Sequence, residues 1–161
     1  NATTPVLFIS KEESYFLQAE ALTRYYNGTG AKAKYDSGVM AAMSRFGLDG
    51  TNFVSAGGAY EFTATGMMAQ IEAIITQKWV ASFPGNGYES FLEQNRTGFP
   101  KESTVAQSSS SYIPGQLAVS VENRTNNKFP RRIVLPNNVK TRNPNAPALK
   151  LISEPVWWDV N

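Results

Sequence analysis

The chain has 161 residues, 42 % hydrophobic and 17 % charged, with a formal net charge of +2; it is long enough to bury a core and too apolar for an intrinsically disordered chain. It contains no Cys and no His, which excludes disulfide frameworks, thiolate or imidazole metal sites, Cys nucleophiles and Ser-His-Asp triads. No run reaches the ~18 apolar residues that a membrane-spanning helix needs.

In chain order, Ser10-Lys11-Glu12-Glu13 has the pattern of a capping box, in which the Ser hydroxyl and the Glu carboxylate bond each other's backbone amides. The apolar residues Tyr15, Phe16, Leu17, Ala19, Leu22, Tyr25 and Tyr26 then predict a helix over 11–26. Asn27-Gly28-Thr29-Gly30 stops it, since Asn and Gly suit left-handed cap positions. Tyr35, Val39, Ala42, Met43 and Phe46 share one face of a second helix over 31–46, closed by Gly47. Ala19, Ala21, Ala41 and Ala42 are small enough to let the two helices approach. Residues 1–49 thus have the size and composition of a tetratricopeptide-type hairpin.

Residues 50–64 read as a Gly/Ala/Thr-rich loop carrying Phe53, Tyr60 and Phe62. A helix is predicted over 66–83, with Met68, Ile71, Ile75, Trp79 and Phe83 as its stripe and Ile74 widening it. A shorter one is predicted over 88–95, so that residues 65–100 form a second helix pair ended by Gly98 and Pro100. Residues 101–161 read as an irregular tail, with a serine run at 108–111, six prolines and many Asn. Short strands are conceivable at 117–121 and 133–135. The tail's apolar residues (Ile133, Val134, Leu135, Leu149, Leu151, Ile152, Val156, Trp157 and Trp158) predict that it packs on the helices.

Charge divides along the chain. Residues 1–122 hold eleven Asp/Glu and eight Lys/Arg, whereas residues 123–161 hold seven basic and two acidic residues, a local net of +5. The basic residues are dispersed among Pro and Asn, and no nucleic-acid-binding motif frames them. They read as a solvated segment whose Arg side chains bond carbonyls and carboxylates of the same molecule, with no nucleic-acid partner.

Several blocks resemble one family. Tyr15-Phe16-Leu17-Gln18-Ala19-Glu20-Ala21 is similar to the LLxAEA helix of SusD/RagB-type outer-membrane nutrient-binding lipoproteins, and residues 74–83 (IITQKWVASF) to their IxxQ[KR]W[IV]AxF helix. Gly87-Tyr88-Glu89-Ser90-Phe91 and Asn95-Arg96-Thr97-Gly98-Phe99-Pro100 resemble the next segment, with Asn95 in place of the motif's first Arg. Pro130-Arg131-Arg132 with Asn143-Pro144-Asn145, and finally Pro155-Val156-Trp157-Trp158-Asp159, are similar to the family's tail and closing blocks.

The resemblance implies a mainly α fold, with tetratricopeptide-like (TPR-like) helix pairs scaffolding a less regular part. It implies a protein lipid-anchored at the outer surface of the Bacteroidota outer membrane, where it captures glycans, or in some members peptides, as a lid over a SusC-like TonB-dependent transporter. Family members are considerably longer, so the resemblance implies that residues 1–161 are the C-terminal part of a SusD-like domain. Membrane contact would then come only through an N-terminal lipid anchor absent from this chain. No cofactor, metal or catalysis is implied.

Ligand-binding candidates lie where the chain is irregular: Phe53, Tyr60 and Phe62 in the first loop, and Tyr112 after the serine run, because aromatic faces stack on sugar rings and loops carry binding residues. Trp79, Trp157 and Trp158 read as packing residues. Arg131, Arg132 and Arg96 read as pins for the tail. Glu12/Glu13 and Glu89/Glu93 are acidic pairs of the kind glycosidase chemistry uses, and they read as a helix start and a surface face. Asn1, Asn27, Asn95 and Asn123 begin formal glycosylation triplets, which an Asn-rich chain produces by chance. A TPR-like scaffold for a protein partner, without a nutrient ligand, is the alternative to glycan capture.

Overall fold

The computed structural model describes residues 8–159; the triplet at Asn1 lies outside them. It is helical, and no β-strand occurs among the described residues. The helices are α1 (Lys11–Tyr25), α2 (Ala31–Ser44), α3 (Thr51–Val54), α4 (Met67–Ala81), α5 (Gly87–Thr97) and α6 (Asn137–Arg142). None of them is long and apolar enough to cross a membrane. The chain forms two compact units, one ending at Phe91 and one beginning at Leu92.

In the first unit α1 packs against both α2 and α4. The capping box is formed as read: Glu13 N donates to Ser10 Oγ at 3.1 Å, and Ser10 N donates to Glu13 Oε2 at 3.5 Å. Asn27, Gly28 and Gly30 all take positive φ in the turn between α1 and α2, and Gly28 N closes back onto Leu22 O. This is the left-handed stop that Asn and Gly make inexpensive.

The buried face of α1 differs from the expected one. Glu12, Phe16, Ala19, Glu20 and Thr23 are buried, whereas Leu17 and Tyr25 are exposed. Two carboxylates can occupy this face because each is paired. Glu12 Oε1 lies 2.6 Å from Arg45 Nη1, and Glu20 Oε1 accepts from Arg24 Nε at 2.7 Å. Ala19 is fully buried and Ala42 packs against the core, but Ala21 is exposed. The small residue at the α1–α2 contact is Gly38. A Cβ there would stand 2.8 Å from the Phe16 ring.

The core itself joins Phe16, Ala19, Tyr35, Val39, Val54, Ile74 and Ala81. Tyr35 meets Phe16 edge to face, with ring centres 6.1 Å apart. On α4, Ile71, Ile74 and Ile75 are buried as expected, Trp79 is half-buried and Met68 is exposed, as is Phe83 beyond its end. α2 ends at Ser44 and α4 at Ala81, so Phe46 and Phe83 fall outside the helices and their apolar faces.

Those early ends free the groups that bind the helices together. The last carbonyls of a helix have no intrahelical partner, and Arg45 supplies one. Its Nη2 donates to Ala81 O at 2.8 Å and to Phe83 O at 2.6 Å, while Nη1 holds Glu12. Beside it Lys78 Nζ lies 3.5 Å from Glu13 Oε1. One guanidinium therefore ties the start of α1, the end of α2 and the end of α4.

The second unit contains the end of α5 and the tail. The strand conceived at 117–121 is reduced to an isolated parallel bridge between Glu102 and Leu117. Residues 133–135 form none, because Pro130 and Pro136 flank them and remove backbone donors. Within the tail lies α6, which apolar periodicity could not announce, since none of its residues is buried. Ile133 and Leu151 remain exposed, and Trp157 is 91 % exposed in place of the packed position expected; Trp158 is half-buried. Backbone and guanidinium bonds, rather than insertion of the indole, hold this segment.

Two substitutions test this account by urea unfolding. Arg45→Ala strands a buried carboxylate and is expected to cost about 3 kcal/mol, with Arg45→Lys recovering less than half because an ammonium cannot match the planar fork; unchanged stability in Arg45→Ala would rule the clamp out. Gly38→Ala should destabilise by about 1–2 kcal/mol through overpacking against Phe16, although helix propensity alone favours Ala by about 1 kcal/mol.

Candidate functional site

The loop after α2 is built from its anchor upward. The Asp49 carboxylate accepts from Thr51 N at 2.9 Å and from Thr51 Oγ1 at 2.6 Å. These bonds, the side-chain one foremost, hold its pKa below the usual carboxylate range. The contribution of this anchor is present above that range and fades as pH falls through the depressed value. It starts α3, the short helix within the segment expected to be loop throughout.

α3 places Phe53, and Tyr60 N returns to Phe53 O at 2.8 Å. The rings of Phe53 and Tyr60 stack with centres 5.4 Å apart and an interplanar angle of 21°. Phe62 turns inward, 4.7 Å from Tyr35, and both Tyr60 and Phe62 pack against the core. Burial, then the Asp36 charge, pushes the Tyr35 hydroxyl above its ordinary pKa, so it stays neutral. The structure thus stacks Phe53 on Tyr60 and, as a separate series, sets Phe62 against Tyr35, which meets Phe16; Tyr60 and Phe62 each pack on the core. Phe53 is the solvent-facing member of the stacked pair, 38 % exposed.

Tyr112 belongs to the second unit. Its hydroxyl donates to Gln116 O at 2.6 Å, closing a turn, and its ring is half-buried.

Of the arginines read as pins for the tail, Arg131 and Arg132 act as such. Arg131 pairs with Asp159, whose side chain is fully buried, and this hydrogen bond raises the pKa of the guanidinium further. Arg131 N donates to Ile152 O at 2.8 Å, and Arg131 O accepts from Asn95 Nδ2 at 3.1 Å. Arg132 Nε donates to Glu154 O at 2.7 Å, and its Nη2 bonds Pro155 O. Arg96 pairs with Glu93 on α5. Asn95, 1 % exposed, is thereby a structural residue in the position where the resembling motif has Arg. Residues from the NRTGFP, PRR and PVWWD blocks converge on Arg131, so these blocks specify architecture rather than ligand choice.

The acidic pairs are occupied elsewhere. Glu12 is bound by Arg45, Glu13 caps α1 and faces Lys78, and Glu93 holds Arg96. Glu89 stands in solvent. Among the described residues no cluster of three carboxylates could hold a metal ion. Sequence reasoning missed Arg45 and Gly38. A Gly inside a helical pattern is itself a signal of close packing, but nothing local marks Arg45, whose partners lie 36 and 38 residues away.

Residues 1–118 match a SusD-like family model described as starch-binding, associating with outer membrane. No curated protein matches the chain.

The Arg131 centre has its own test. Arg131→Ala is expected to speed amide exchange at Arg131 and around Asp159 by at least tenfold while leaving α1 and α4 protected, as read by hydrogen–deuterium exchange. Unaltered exchange at both places would show that the tail is held by other contacts.

Proposed function

The chain belongs to the SusD-like family of proteins described as starch-binding and associating with the outer membrane, and from that premise we propose that it captures nutrient glycans at the cell surface and delivers them to a SusC-like TonB-dependent transporter. The observation that carries this reading is the family match over residues 1–118, which takes in α1 to α5 and the aromatic loop. Outer-surface exposure through a lipid anchor on the longer protein is part of the same proposal. Capture is non-covalent, and the chain catalyses no reaction on the glycan.

The physical basis is stacking of a sugar's apolar face on an aromatic ring, with hydrogen bonds to its hydroxyls from nearby polar groups. Phe53 is the proposed platform, backed by Tyr60 through their stacked rings. Phe62, whose ring packs on Tyr35, is a further candidate in the same segment, and Tyr112 is a separate one in the second unit. A backed ring loses little freedom on binding, which lowers the entropic cost of recognition.

Titration calorimetry with maltoheptaose tests the proposal. The chain is expected to bind it, and Phe53→Leu, which keeps an apolar side chain but removes the flat face, should weaken binding about tenfold, or about 1.4 kcal/mol. Absence of binding to any oligosaccharide or peptide, with pull-downs recovering only a non-transporter protein, would favour the TPR-like scaffold instead.

A further inference from the structure

A groove of about 280 Å3 lies in the second unit, lined by Ala118, Val119, Ser120 and the segment from Asn123 to Pro130 except Asn126. It borders and extends beyond the end of the family match at residue 118, and it contains none of the four aromatic residues considered above. Its lining holds two cations, Arg124 and Lys128, and no carboxylate. Neither cation takes part in an ion pair among the described residues, and both are exposed. In this they differ from Arg24, Arg45, Arg96 and Arg131, each of which is neutralised by an acidic partner.

The loop that presents them is braced by its own polar groups. Asn123 Nδ2 donates to Asn127 Oδ1 at 2.7 Å, and Asn127 N donates to Asn123 Oδ1 at 2.9 Å. Thr125 Oγ1 donates to Lys128 O at 2.5 Å. Asn126 and Asn127 both take left-handed φ, a conformation that Asn tolerates better than most residues. Arg124 and Lys128 therefore extend from a backbone fixed before any ligand arrives. Phe129, half-buried, adds an aromatic surface to the lining. The groove presents mainly apolar surface, which suits the apolar face of a sugar ring, and its two exposed, unpaired cations suit an acidic substituent on that sugar. The local excess of +5 over residues 123–161 would draw such a ligand in.

We propose that this groove is a subsite for an anionic oligosaccharide, with Arg124 and Lys128 bound to the carboxylate or sulfate of one sugar residue. The inference rests on the glycan-capture reading and adds a ligand class to it.

The test uses this 161-residue chain with three probes at low ionic strength: oligogalacturonate for carboxylates, a sulfated galactan oligosaccharide for sulfates, and neutral maltoheptaose. At least one acidic probe should bind, and Arg124→Gln/Lys128→Gln should weaken it tenfold or more while leaving maltoheptaose binding unchanged. The acidic probe that binds identifies the substituent. A second double variant, Lys140→Gln/Lys150→Gln, removes the same charge away from the groove lining and should leave affinity within about twofold. Equal weakening by the two double variants would mean diffuse attraction to a basic tail and would overturn the subsite. Binding of maltoheptaose with no acidic probe bound would overturn the subsite alone. Failure of all three probes would overturn the capture reading together with it.

Discussion

A buried carboxylate requires a countercharge, and the first unit is organised around meeting that requirement at Glu12. The side chain of Glu12 is 4 % exposed, and leaving it unpaired would cost several kcal/mol. Arg45 supplies the charge, and its remaining donors reach Ala81 O and Phe83 O. The interaction sets a countercharge beside an acid on one helix and donates to open carbonyls at the end of another. It also explains why α2 and α4 end where they do: each stops before its last aromatic, leaving Arg45 free to turn and the carbonyls free to accept. The apolar core around Phe16, Tyr35, Val39 and Ile74 supplies the burial, while the guanidinium fixes which helix ends meet.

The second unit applies the same chemistry without a helical frame. Arg131 gathers Asn95, Ile152 and Asp159, and Arg132 gathers Glu154 and Pro155. A Pro- and Asn-rich segment has few backbone partners of its own, and planar five-donor groups can replace a sheet ladder in such a segment. The exposed Trp157 follows from this: the tail is positioned by polar bonds, so its aromatic residues need not be inserted to hold it. Arg131 is thus neutralised within the unit, whereas Arg124 and Lys128 carry no ion pair among the described residues.

What could be read from the sequence was what local physics determines. The capping box at Ser10, the Asn-Gly turn after α1, and the existence of α1, α2, α4 and α5 follow from patterns a few residues long, with ends placed within two residues. The face of α1 was misread because hydrophobicity alone assigns Leu17 and Tyr25 inward and Glu12 and Glu20 outward; their partners overrule that assignment. α3 and α6 were missed because they are short and nearly without buried residues. Of the candidate site, Phe53 and Tyr60 were legible as loop aromatics, but their stacking was not, since it depends on the turn between them. The pinning roles of Arg131 and Arg132 were legible, whereas Asp159 as the partner of Arg131 was not.

The acidic stripe on α1 also governs which neighbour this helix accepts. A purely apolar face would pack nearly as well after slipping one turn along α2, because aliphatic contacts are interchangeable. Displaced by one turn, Glu12 would lie about 5.4 Å along the axis from the guanidinium it needs, and the slipped arrangement would bury a charge alone. The hairpin thus carries an electrostatic register mark, written in Glu12 and read by Arg45, that discriminates among otherwise similar alignments. The same mark discourages α1 from docking on foreign hydrophobic surfaces while the chain is incompletely folded.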